Sequence, residues 1–217
     1  MKVGIDRIHQ ISVSLRTFSR ADTSIKTLFN IHDGLDSTLL ILKHRLNSNG
    51  NRPEIQLIKE YENLPLLECY AGQLNQVFMN LIANAIDALE EAMASGMLVS
   101  TNNQKPVPTI WIRTQIKTRE PRIKDENEFL NPSLCGISFS DVVIRIADNG
   151  VGISEEAKQQ LFKPLFTTKQ VGKGTGLGLS ISHQIVEKHG GQLRCISEPG
   201  KGTEFYIEIP ISCKEAN

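Results

Sequence analysis

Positions 80, 84 and 87 read Asn80, Asn84 and Asp87, an i, i+4, i+7 spacing. On a helix that spacing puts all three on one ridge. Amide and carboxylate oxygens are hard donors, and Mg²⁺ takes one or two such protein oxygens beside phosphates and water. The ridge also fits a plain solvated face, although Asn is a mediocre helix former and two of them ask for a reason. A second concentration of chemistry fills residues 148–182. The run D-N-G-V-G-I places Asp148, Gly150, Gly152 and Ile153; L-F-K-P-L-F-T-T-K then carries Phe162, Phe166, Thr168 and Lys169. The run G-K-G-T-G-L-G-L follows, with Lys173, Gly174, Thr175, Gly176, Leu177, Gly178 and Leu179. Glycines let bare N–H groups approach an anion, and this loop leads into a helical pattern, the arrangement of a phosphate site. Neither a Walker A loop nor a dinucleotide fingerprint fits, because the glycine spacing is wrong and the preceding residues read as loop. Alone, the loop also fits a flexible surface turn.

Elements must hold these groups in place. Residues 26–31 read as a short strand, and Asp33 is the expected cap of a helix running to about Leu46, with Leu35, Leu39, Leu40 and Leu42 inward. Alternation predicts strands over 55–61 and 66–70, joined by the short link 62–65. Residues 72–95 form the longest helical stretch: Leu74, Val77, Phe78, Leu81, Ile82, Ala85, Ile86 and Leu89 make a stripe separate from the Asn/Asp ridge. Strands follow over 108–117, with the only tryptophan, Trp111, and over 138–147, which delivers Asp148 at its end. The charged stretch 118–135 between them reads as a surface insertion. After the glycine loop come a helix, through Ile181, Ile185 and Val186, and a hairpin over 192–197 and 203–209. Residues 1–22 carry helical periodicity without a cap, and 213–217 read as a frayed tail.

The 217 residues are 40% hydrophobic, enough for one real core. A formal net charge of zero gives no electrostatic case for binding nucleic acid or a membrane surface. The four cysteines, Cys69, Cys135, Cys195 and Cys213, are far apart, share no metal-ligand spacing and read as free thiols of a reducing cytosol. No apolar run approaches the roughly 20 residues that span a bilayer.

Four stretches occur in order: N-L-I-A-N-A from Asn80, D-N-G-V-G from Asp148, F-K-P-L-F from Phe162, and G-T-G-L-G-L from Gly174; G-K-G-T, ending at Thr203, is a fifth. This order resembles the N, G1, F, G2 and G3 boxes of the histidine-kinase catalytic domain, in the GHKL ATP-binding superfamily, over residues 26–210. The resemblance implies an α+β fold, a two-layer α/β sandwich whose mixed sheet is covered by helices on one face, preceded by one helix. The catalytic domain would span residues 23–212, with residues 1–22 as the second helix of a dimerisation hairpin. ATP and Mg²⁺ are the implied cofactors. Asn84 is the implied metal ligand, with Asn80 beside it and Asp87 in the same set, and Asp148 reads adenine. Gly150, Gly152 and Ile153 approach the base, Phe162 and Phe166 anchor a lid, and Lys169 and Lys173 neutralise phosphates. Thr168, Gly174, Thr175, Gly176, Leu177, Gly178 and Leu179 complete the phosphate cradle, and Thr203 lies near the adenine. Asn80, Asn84 and Lys169 are the implied catalytic residues.

ATP-hydrolysing relatives carry a Glu where this chain has Asn80. An amide is no general base, so the site suits transfer to an external nucleophile better than hydrolysis. The departure from the family pattern is the acceptor: none of His9, His32, His44, His183 and His189 lies in a His-Glu-x-x-[Asn/Thr]-Pro segment. They read as surface or packing histidines, with the acceptor helix expected upstream. The implied partners are a response regulator receiver domain and a second copy joined through the hairpin, in the cytoplasm. The alternatives are an ATPase clamp of the same superfamily and a noncatalytic, partner-binding kinase-like domain.

Overall fold

The computed structural model describes residues 25–48, 52–98, 106–119, 139–169 and 176–211. The helix expected within 1–22, the insertion beyond Arg119 and the tail lie outside them, so that division of the chain remains an expectation. In chain order the elements are β1 (Thr27–Phe29), α1 (Ile31–Leu46), β2 (Gln56–Tyr61), β3 (Leu67–Cys69), α2 (Ala71–Ala94), β4 (Thr109–Arg119), β5 (Phe139–Asp148), α3 (Glu155–Lys158), α4 (Gly178–Lys188), β6 (Gln192–Glu198) and β7 (Gly202–Pro210).

Period-two patterning builds the sheet. In β5, Val142, Ile144 and Ile146 are buried on one face, whereas Arg145 points to the other and pairs with Glu204 at 2.6 Å. β5 is the central strand of five, in the order β2-β4-β5-β7-β6. Only β2 and β4 run parallel; β4, β5, β7 and β6 pair antiparallel. A separate two-stranded sheet joins β1 to β3. The strands at 55–61 and 66–70 are therefore correctly placed but belong to different sheets, and the link between them carries the chain from one to the other.

α2 packs between α1 and α4 and against β5. Its stripe from Leu74 to Leu89 is buried throughout and meets Ile112, Ile144 and Phe205 in one core. Each such side chain contributes roughly 1.5–3 kcal/mol by leaving water. The cap of α1 is Asn30 rather than Asp33: the Asn30 side chain accepts the His32 N–H at 2.9 Å. The helix therefore begins at Ile31, two residues before Asp33, and buries that first residue. Asp33 instead sits in the first turn, where its charge favours the helix dipole. Among the described residues no helix is long and apolar enough to cross a membrane.

The described histidines are engaged within the fold: His32 Nε2 meets Thr114 Oγ1 at 2.9 Å and His183 Nδ1 lies 3.2 Å from Glu187. His32 stacks on Tyr61 with centroids 4.3 Å apart, and His44 Nδ1 meets the Ile41 carbonyl. His189 joins two helices: its Nδ1 lies 2.7 Å from the Ile185 carbonyl and its Nε2 3.1 Å from the Tyr70 N–H, at the start of α2. A carbonyl only accepts, so Nδ1 carries the proton and Nε2 is the acceptor for Tyr70. That arrangement needs a neutral ring. Burial lowers its pKa; Lys26 and Lys188 lower it further, against the opposing bond to Ile185. The unfolded chain therefore takes up this proton first. The stabilisation is complete above the ordinary value of 6.5 and is lost as pH falls from there toward the lowered folded pKa. Thermal unfolding should show a steeper loss between pH 7.5 and 5.5 in the parent chain than in His189→Gln, whose amide oxygen accepts without titrating. Equal slopes would refute the assignment.

Candidate nucleotide site

The site gathers around one side of α2. Asp148 ends the central strand, opposite Ile110 on β4 and Thr203 on β7. It is 7% exposed, and its carboxylate accepts the Gly150 N–H at 2.8 Å and a backbone N–H from Thr203. Among the described residues no cation touches it. Burial therefore raises its pKa to about 6, against the opposing effect of those two N–H bonds. The loop that follows lies hard against α2: a Cβ on Gly150 would sit 2.8 Å from the Ala88 backbone. Gly152 has φ +72°, and a Cβ there would meet the Glu198 carbonyl at 2.1 Å. Glycine at these two positions is thus required by the protein's own packing.

Thr203 is buried beside Asp148 and meets Ser197 Oγ at 2.9 Å. Ser197 Oγ donates to the Gly202 carbonyl and accepts the Ile153 N–H. With its one proton committed to Gly202, Ser197 accepts from the Thr203 hydroxyl. Sequence reading missed Ser197. Its only signal was a polar residue at an inward position of a strand, two places beyond Cys195.

On the ridge, Asn84 Oδ1 accepts from Lys169 Nζ at 2.9 Å, and the same ammonium contacts Asp87 Oδ2 more closely still. The other Asp87 oxygen is bonded to Arg45 of α1 at 2.6 Å, and Arg45 also reaches Glu90 at 2.7 Å. Burial alone would raise the Asp87 pKa, but the bonds and charges of Lys169 and Arg45 outweigh it and hold the carboxyl below its usual range. Asn80 is engaged elsewhere. Its Nδ2 donates to the Gly178 carbonyl at 3.0 Å and to Ser182 Oγ at 3.1 Å, tying α2 to the start of α4. A carbonyl accepts only, which fixes the nitrogen on that side and turns Oδ1 away from Gly178.

α4 begins at Gly178 with no side-chain cap, so its first-turn N–H groups keep their capacity for an anion. Leu179 is half-buried on that turn and Leu177 is exposed just before it. Phe162 lies against the His183 ring of α4, centroids 4.9 Å apart. Leu165 adopts φ +65°, and a Cβ on Gly176 would sit 2.4 Å from its carbonyl carbon, so the start of the helix abuts the phenylalanine segment. Phe166 is half-buried and Thr168 exposed on the approach to Lys169. Lys173, Gly174 and Thr175 lie outside the described residues.

Among the described residues no group of three or more His, Cys, Asp or Glu side chains could hold a metal. The donors that do converge, an amide oxygen and a carboxylate already facing a cation, fit a hard ion that brings most of its ligands with it. The thiols of Cys69 and Cys195 are pushed up to about 12 by burial and are inert at neutral pH.

Residues 70–212 match the family described as histidine kinase-, DNA gyrase B- and HSP90-like ATPase. The sensor kinase CckA of Brucella abortus is 31% identical over 99% of this chain and 20% of its own length. Sporulation kinase E of Bacillus subtilis is 29% identical over 76% of this chain and 18% of its own. The chain thus spans about a fifth of the length of these relatives. The catalytic domain of the histidine kinase ThkA superposes with a TM-score of 0.58 at 25% identity, covering 86% of this chain and 97% of that one. The mixed sheet, the helices and the ordered boxes agree with these likenesses: the chain belongs to the histidine kinase-, DNA gyrase B- and HSP90-like ATPase family, on its sensor histidine kinase branch.

Proposed function

We propose that this chain binds Mg²⁺–ATP and hands the γ-phosphoryl to a histidine elsewhere in the parent protein, for relay to a response regulator receiver domain. The observation that carries the reading is the convergence on α2: the Asp148 loop at Ala88, Lys169 at Asn84 and Asp87, and the α4 start at Asn80. Asp148 would accept from the exocyclic amine of adenine, because an ionised carboxylate is an acceptor only and favours an amino purine over a keto one. Gly150, Gly152 and Ile153 would bring the backbone to the base, with Thr203 beside Asp148. Asn84 Oδ1 would be the protein's metal ligand, with Asp87 behind it. Bound magnesium would neutralise charge on the phosphate oxygens. Lys169 would face the phosphates, together with Lys173 and the N–H groups of Gly174, Gly176 and Gly178, while Phe162 and Phe166 would anchor the covering segment.

No carboxylate stands one turn before Asn84 to activate water. Asn80 occupies that place, with its nitrogen spent on α4. This favours transfer to an imidazole over hydrolysis. The names of the relatives, two sensor kinases and a sporulation kinase, support the same reading. Dimerisation through an upstream hairpin and a cytoplasmic location, where ATP is supplied, belong to the proposal.

A fluorescent ATP analogue should bind the chain with Mg²⁺, ATP competing far better than GTP, and Asn84→Ala should weaken binding by about tenfold or more. Equal competition by GTP would overturn the adenine assignment. Labelled ATP should yield neither rapid phosphate release nor an acid-stable or acid-labile phosphoprotein from this chain alone; a phosphohistidine on it would contradict the external-acceptor reading. Asp148→Asn should weaken nucleotide binding by roughly tenfold or more, since hydrogen bonds to charged groups contribute about 1.5–3 kcal/mol. It should also change the pH dependence of stability. The Asp148 pKa rises from 3.8 to about 6 on folding, so the folded chain takes up that proton first as pH falls. The burial penalty, on the order of 3 kcal/mol, is full above pH 6 and is relieved as pH falls toward 3.8. The melting temperature of the parent relative to Asp148→Asn should therefore climb from pH 7.5 to pH 5; a constant difference would sink the burial argument.

A further inference from the structure

Lys169 stands where a metal would have to bind. Its ammonium lies 2.9 Å from Asn84 Oδ1 and contacts Asp87 Oδ2, the oxygen that Arg45 leaves open. A magnesium ion needs an oxygen at about 2.1 Å. It cannot share the Asn84 oxygen with an ammonium already bonded there, because two cations on one small dipole repel across a few ångströms. The ion-pair network behind it already holds its carboxylates in place. Among the described residues, Asp87 and Glu90 are paired with Lys169, Arg45 and Arg52. A free dication adds charge to that ridge and brings no anion with it. A metal–nucleotide complex brings its own phosphates, which offer the ammonium stronger acceptors than an amide oxygen.

We infer that Lys169 is a tethered placeholder cation: it satisfies Asn84 and Asp87 in the nucleotide-free chain, excludes free divalent metal, and cedes the site only to metal that arrives with phosphate. The inference rests on the nucleotide reading above and adds a selectivity to it. Lys169 is then a specificity-determining residue with two opposed effects. It holds metal off before nucleotide binds and holds phosphate once nucleotide is there. A lysine that merely fastened its segment to α2 would act with one sign, and its loss would loosen the site for both ligands.

The test compares the full chain with Lys169→Met, which keeps the length and apolar stem of the side chain and removes its charge. Mn²⁺, read by electron paramagnetic resonance without nucleotide, is the metal probe, and a fluorescent ATP analogue with Mg²⁺ is the nucleotide probe. Lys169→Met should bind Mn²⁺ about tenfold more tightly than the parent and the nucleotide complex about tenfold more weakly. Mn²⁺ affinity that is unchanged or lower in the variant overturns the inference. So does a gain in Mn²⁺ binding that survives Asn84→Ala in the Lys169→Met background. Lys169→Gln carries the same expectation and replaces Lys169→Met should that variant lose its melting transition. Absence of nucleotide binding in the parent chain would count against the nucleotide reading, while the Mn²⁺ comparison would still decide the role of Lys169.

Discussion

A carboxylate is held, buried, at the end of the central strand, and among the described residues no positive side chain stands against it. Most of the local architecture follows from that constraint. Among the described residues the charge of Asp148 is met by main-chain N–H groups from Gly150 and Thr203, so both segments must come close. Closeness excludes side chains, which is why Gly202 packs so near that a Cβ would lie 2.0 Å from the Asp148 carbonyl. The pleat keeps the arginine of the same strand away. Arg145, an odd number of residues along the strand, faces the opposite surface and is consumed by Glu204 and Tyr206. With no cation beside it among the described residues, the carboxylate keeps acceptor capacity for a further donor.

α2 does two jobs that would conflict on a less regular helix. Its stripe from Leu74 to Leu89 anchors the core, and its ridge meets three separate segments within two turns. The ion pairs of Arg45, Asp87 and Glu90 are half-exposed, and pairs of that kind contribute little to net stability. Their value is geometric. Arg45 fixes one oxygen of Asp87 from α1, which leaves the other turned toward Lys169. Asn80 does the same for α4, trading a solvent-facing amide for two bonds that set the distance between the helices.

Much of this was legible in the residues alone. Alternation placed β4, β5, β6 and β7 to within a residue or two, because strands with one buried face leave a period-two record. The i, i+4, i+7 spacing put Asn80, Asn84 and Asp87 on one ridge. It could not say that Asn80 would serve α4 while the other two met Lys169, because that depends on partners about 85 to 100 positions away, which no local pattern encodes. The α1 cap was misplaced at Asp33 because acidic residues are common both at caps and in first turns, and only the Asn30 bond to the His32 N–H separates the two. Sheet membership was equally hidden: β2 and β3 look alike as short alternating runs, and their partners are chosen by tertiary packing. Ser197 gave almost no signal, since one serine in a strand is unremarkable until its three neighbours are seen.

The strand order has a consequence for synthesis on the ribosome. β7 is the last strand among the described residues, yet it is threaded between β5 and β6 rather than laid on an edge. Until it emerges, β5 has a vacant flank and Asp148 lacks its Thr203 neighbour. A nascent chain halted before residue 203 therefore lacks the β7 side of the pocket around Asp148, however well α2 and α4 have formed. Any ligand that needs the Asp148–Thr203 pair can assist folding only after β7 has closed that gap in the sheet.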